Sequence, residues 1–265
     1  MALERKSWPL HVYHGKGDHR DAPAMGANTM QTILVLNSKG GCGKSTIATN
    51  LASFYAADGI RTALMDYDPQ RSSLQWLERW DGDRPPIHPL DATRTKTGLT
   101  RTWQTSVPPG TQRLIIDAPA GVSGDMLQEM VRRTDIIVVP VAPSSIDIHA
   151  TAQFMRDLLL VGKIRNYHVH VGIIANRVRS ASRQYEPLRR FLDSLSIPFI
   201  TSLSDSEYYV TAAEAGVGIH EMERNETAYE RGQWRPLIQW LSCPDHELRP
   251  HAARPRLNLV RDGWG

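Results

Sequence analysis

Residues 32–59 read TILVLNSKGGCGKSTIATNLASFYAADG. The run TILVLN is compact, apolar and of strand length, and SKGGCGKST is a glycine-rich loop. From Thr46 onward, Ile47, Leu51, Phe54 and Tyr55 recur at helical spacing, and Gly59 closes the segment as helix-ending glycines do. Strand, loop and helix in that order are the context a phosphate-binding loop requires. The backbone N–H groups of Gly40, Gly41, Cys42 and Gly43 are then expected to point at phosphate oxygens, and the following helix N-terminus adds a favourable dipole for the anion. On this reading Lys44 reaches the β and γ phosphates, Ser45 ligates Mg²⁺, and Thr46 backs the α phosphate.

The alternation continues outward from this unit. RTALMDYD (61–68), RLIIDAPAG (113–121), DIIVVPV (135–141), HVGIIANR (170–177) and IPFI (197–200) read as strands. RSSLQWLERW (71–80), DMLQEMVRR (125–133), residues 148–161 and residues 183–194 read as helices. Near-continuous apolar strands between amphipathic helices predict an α/β fold, a single-domain P-loop NTPase with a mostly parallel twisted sheet covered by helices on both faces. Residues 81–110 are polar and carry prolines, which predicts a connection. A last helix is expected from about Thr227, broken at Pro236. The domain is expected to span 30–242, after a disordered leader or arm over 1–29 and before a loosely ordered, Pro- and Arg-rich tail over 243–265.

At 265 residues, 41% apolar and 22% charged, the chain can bury one sizeable core. It has no uninterrupted apolar run long enough for a membrane span and no signal-peptide pattern, so a cytoplasmic protein is expected. Two cysteines, Cys42 and Cys243, exclude a disulfide framework and leave too few thiolates for an iron–sulfur cluster. The net charge of +3 is too mild to prove a nucleic-acid partner, but Arg177, Arg179, Arg183, Arg189 and Arg190 cluster in one stretch. On a helix beginning near Ser182, Arg183, Arg189 and Arg190 share one broad face, suited either to DNA phosphates or to solvent.

Ser38 stands where the general loop motif has its first glycine, and Lys39 follows it. This xKGGxGK[ST] form resembles the ParA family of the ParA/MinD superfamily, ATPases with a deviant Walker A motif. The resemblance runs from about Met30 to Met222. It includes ALMDYDPQ (63–70), LIIDAPAG (114–121), VVPVAPSSIDIHA (138–150), IIANRV (173–178) and the late segment 202–222. It implies ATP and Mg²⁺ as cofactors and an ATP-dependent homodimer in which Lys39 reaches the partner's phosphates. It further implies that Asp68 orients the attacking water with Asp66 supporting the loop, that Asp117 holds Mg²⁺ through water, and that Asn176 reads the adenine. Asp-x-Asp-Pro at a strand end also forms a capped turn, and Asp147 near a helix start also serves as an N-terminal cap. The family's activity would be slow ATP hydrolysis stimulated by a ParB-like or cargo-adaptor protein. The ATP-bound dimer would bind nonspecific DNA on the nucleoid and position a plasmid, a chromosome origin or an assembly such as a carboxysome. A MinD-like membrane-cycling ATPase is the alternative, disfavoured because Pro250 and Pro255 interrupt any amphipathic helix in the tail.

Overall fold

In the computed structural model the described residues are 30–79, 85–93, 107–160, 162, 164–179, 190 and 197–243. The apolar run after Met30 forms β1 (Gln31–Val35), buried at all five positions because both faces of the strand are covered. Its neighbours are β2 (Thr62–Asp66), β3 (Ile87–Asp91), β4 (Arg113–Asp117), β5 (Ile136–Val141), β6 (His170–Val178) and β7 (Phe199–Ser204). They lie in the order β3-β2-β4-β1-β5-β6-β7, and every pairing is parallel. Parallel pairing requires crossovers, which α1 (Lys44–Ala57), α2 (Ser72–Glu78), α3 (Gly124–Arg132), α4 (Ser145–Leu160) and the short α5 (Ile164–Tyr167) supply. Two more helices, α6 (Glu207–Glu214) and α7 (Ala228–Leu241), follow β7.

Side chains alternate across the sheet and so build two cores. Ile33, Val35, Leu64 and Ile115 pack with Ile47 and Leu51 of α1, Trp76 of α2 and Trp234, Leu237 and Leu241 of α7. Leu34, Met65, Ile116 and Val139 face the other way, onto Leu127, Met130 and Val131 of α3 and Phe154, Met155 and Leu158 of α4. Helices thus cover both faces, and the expected doubly covered parallel sheet is what forms.

Three expectations need correction or bounding. The polar connection 81–110 contains β3, a strand that among the described residues pairs only with β2 at the sheet's edge and carries Pro89 opposite Leu64. An edge tolerates the missing N–H of proline, which is why such a strand shows no apolar run. The break expected at Pro236 is absent, and α7 runs unbroken to Leu241. Tertiary anchors hold it through the proline: Trp234 is fully buried and donates to the Tyr209 hydroxyl at 2.9 Å, and Gln233 accepts from Thr201 and Ser204. The helix expected over 183–194 lies outside the described residues except for Arg190, as do the leader 1–29 and the tail beyond Cys243.

Candidate phosphate-binding site

The carboxyl ends of β1, β2, β4, β5 and β6 meet at one edge of the sheet, where the strand order switches sides around β1. Ligands in open α/β sheets bind at such an edge. Two buried asparagines shape the loop that follows β1. Asn37 accepts from the Lys39 N–H at 3.1 Å and donates to the Pro140 carbonyl at 2.8 Å, tying the loop to β5. Asn176, at the end of β6, donates from Nδ2 to the Cys42 carbonyl at 2.9 Å. Its amide thus supports the loop from beneath and does not line the open cleft. Gly43 caps α1 with φ of 92°, and a Cβ there would stand 2.1 Å from Asn176 Nδ2. Gly43→Ala therefore combines a left-handed backbone with a steric clash, and it is expected to weaken nucleotide binding at least about tenfold in a titration with a fluorescent ATP analogue.

Lys44 is buried, and its ammonium donates to the Lys39 carbonyl at 3.0 Å, so the side chain folds back over the loop. Burial pushes the Cys42 thiol up, making it a packing residue whose Sγ donates to the same carbonyl at 3.3 Å. Lys39 itself stays at the rim, with its side chain 44% exposed and its ammonium 3.9 Å from Asp147 Oδ1. Asp147 in the first turn of α4 is fixed by Ser144, whose hydroxyl donates to its carboxylate and accepts from its N–H. The loop after β4 is anchored by the Gly121 N–H, which donates to Ser38 O at 2.9 Å.

The metal side of the site centres on Asp117, fully buried at the end of β4. Burial pushes its carboxyl up to about 6, against the stabilising effect of the Ser73 and Ser45 hydroxyls and the Lys44 ammonium. Ser73 Oγ donates to Asp117 Oδ2 at 2.6 Å, whereas Oδ1 is buried without a hydrogen-bond partner. An orphaned carboxylate oxygen in a polar corner fits a hard divalent cation, and Ser45 with Asp117 are the residues that would hold Mg²⁺. Asp66, also fully buried, takes the N–H of Asp68 on one oxygen (2.8 Å) and those of Ser73 and Leu74 on the other (3.0 and 3.3 Å). Burial raises its carboxyl pKa, and those three amides oppose the shift. The capped-turn reading of this segment therefore holds for Asp66, and it leaves Asp68 half-buried at the cleft.

The resulting cleft holds about 540 Å³ and is bounded by the phosphate loop, Asp68, Gln75 of α2, Arg79 at the C-cap of that helix, and Arg177. Arg177 adopts φ of 58°, which turns its guanidinium onto the Gly41 carbonyl at 3.3 Å. Arg179 is exposed and paired with Asp205 at 2.8 Å, and Arg190 is exposed. Arg183 and Arg189 lie outside the described residues. The structure thus brings together Gly40, Gly41, Gly43, Lys44, Ser45, Thr46, Asp68 and Arg177 around one cleft, and among the described residues Arg177 alone of those five arginines lines it. Sequence reasoning missed Asn37 and Ser73. The only sequence signal for either was a polar residue next to a motif.

Comparison with known proteins agrees with this geometry. The family model described as the CobQ/CobB/MinD/ParA nucleotide binding domain matches residues 33–219. The chain is 25% identical over 203 residues to the maintenance of carboxysome distribution protein A of Halothiobacillus neapolitanus, covering 75% of this chain and 90% of that protein. It is 26% identical over 157 residues to protein ParA of Rhizobium radiobacter, covering 59% and 69%. The fold matches Cyanothece McdA in complex with ATP at a TM-score of 0.60 and 16% identity, over 79% of this chain and 96% of that one. It matches the septum site-determining protein MinD of Pyrococcus horikoshii with Mg-ADP at 0.58 and 14%, over 83% and 100%. The family match spans well over half the chain and includes every strand-end residue of the site, so the chain belongs to the CobQ/CobB/MinD/ParA nucleotide-binding domain family.

Proposed function

We propose that this chain is a ParA-type positioning ATPase that dimerises on ATP, binds DNA without sequence preference and distributes a cargo, with hydrolysis stimulated by a partner protein. The observation that carries this reading is the placement of two lysines. Lys44 is buried within its own loop, and Lys39 stands exposed at the rim with its ammonium 3.9 Å from Asp147. A cation so placed is free to leave Asp147 for phosphates presented by a second copy, as an arginine finger does in trans. Within one chain, Lys44 and the loop amides bind the phosphates, Asp68 orients the attacking water, and Asn176 holds the loop that approaches the nucleotide. Mg²⁺, held by Ser45 and Asp117, would neutralise charge on the phosphate oxygens.

The cargo reading draws on relatives named for chromosome partitioning and for carboxysome distribution. The exposed Arg179 and Arg190, with Arg183 and Arg189, are the proposed phosphate contacts for nucleoid DNA. Arg177 is reassigned to the nucleotide cleft on its contact with Gly41. The test is binding to nonspecific duplex DNA with Mg²⁺ and ATP, ADP or no nucleotide, at 50 and 200 mM salt. Binding is expected with ATP alone. Four to eight neutralised phosphates, from four arginines in each protomer of the dimer, predict a loss of about 100-fold to 10,000-fold between those salts. Equal binding in all nucleotide states, or none in any, would overturn the DNA-carried reading, and liposome binding would then test the membrane-cycling one.

A further inference from the structure

Ser73, the second residue of α2, is fully buried with its hydroxyl aimed at the metal side of the site. Two contacts make it a junction. Its Oγ donates to Asp117 Oδ2 at 2.6 Å, and its N–H donates to Asp66 Oδ2 at 3.0 Å, an oxygen that also takes the Leu74 N–H. The other oxygen of Asp66 takes the Asp68 N–H at 2.8 Å. One carboxylate therefore clamps both ends of the turn that carries Asp68, and one hydroxyl joins that clamp to the carboxylate beside the cation position.

The far end of α2 is fixed independently. Trp76 Nε1 donates to the Val217 carbonyl at 3.3 Å, and Arg79 donates to the Ala213 carbonyl at 2.6 Å. The turn at Gly216 packs so closely that a Cβ there would meet Arg79 Cβ at 2.7 Å. A helix of seven residues pinned at its C-terminal end cannot translate freely. The hydrogen bond from Ser73 to Asp117 would carry a displacement of Asp117 on taking up a cation into the turn at 68–72, which lies between the two anchors.

We propose that Ser73 is a positioning residue acting through Asp117, its hydroxyl coupling cation occupancy to the conformation of the Asp68 turn. The proposal rests on the ATPase reading for its purpose: water would be oriented only once the cation is in place. The coupling itself is a property of the binding site and can be read without turnover.

The experiment is amide hydrogen exchange on the full chain, following peptides that cover residues 67–79 with ADP plus either Mg²⁺ or EDTA. Wild type is expected to exchange about tenfold more slowly over 67–73 with Mg²⁺, and in Ser73→Ala the Mg²⁺ effect should fall below about twofold. A purely structural role would raise exchange equally in both conditions and leave the ratio unchanged. Ser73→Cys keeps the size with a weaker donor, should lie between the two, and decides the matter if the alanine variant does not fold. A wild type with no Mg²⁺ effect over these residues, or a folded variant with the full wild-type ratio, overturns the coupling. Phosphate release by wild type with Mg²⁺ and ATP tests the ATPase reading separately, so the two can fail independently.

Discussion

Lys44→Ala is expected to lose ATP binding by at least about 100-fold, or about 2.8 kcal/mol, in equilibrium titration with a fluorescent nucleotide. Two effects add. The ammonium is the buried cation of the phosphate loop, so its removal deletes charge-assisted hydrogen bonds to phosphate oxygens, which are stronger than neutral ones. It also strips Asp117 of a neighbouring positive charge that opposes the effect of burial on its carboxyl. With Lys44 gone that carboxyl is expected to titrate still higher, so more of it is protonated near neutral pH and unable to serve a cation. Fold is expected to survive, because alanine is a strong helix former at the start of α1. Undiminished ATP affinity in a folded Lys44→Ala protein would remove the phosphate-loop assignment itself.

The architecture was legible because each central strand is buried on both faces and so appears as an unbroken apolar run. TILVLN, LIID and DIIVVPV need no long-range information to be recognised. The edge strand IHPLD lacks that signature, being half-buried and interrupted by Pro89, and so it passes for connection. Pro236 misleads for the opposite reason. The local rule says break, and the burial of Trp234, Leu237 and Leu241 overrides it. In the site, the residues fixed by spacing within the loop were readable in order. Those acting across elements were not: nothing near Ser73 in sequence points to Asp117, 44 positions away, or near Asn37 to Pro140. The arginine stretch shows the same limit. Charge density suggested one surface, whereas a left-handed backbone at Arg177 sends one guanidinium to the phosphate loop and Asp205 takes another.

Asp68→Ala is expected to keep ATP binding and ATP-dependent dimerisation, followed by light scattering, and to lower phosphate release by about 100-fold or more, the range of a positioned proton acceptor. The residue sits in a turn that is held without its side chain: Asp66 takes the Asp68 N–H, and the Arg71 N–H donates to the Asp68 carbonyl at 2.8 Å. Arg71 closes that turn with φ of 56°, its guanidinium 3.4 Å from Asp91. The carboxylate itself adds one bond, accepting from the Gln70 N–H at 2.9 Å. Its loss should cost about 1 kcal/mol of local order, far less than the expected fall in rate. Asp68→Asn separates the two contributions, since the amide oxygen can still accept from Gln70 but the side chain no longer carries a negative charge toward an attacking water. Both variants are expected to be slow. A slow alanine variant beside a fast asparagine variant would assign Asp68 to turn geometry, and wild-type turnover in Asp68→Ala would sink the water-positioning role altogether.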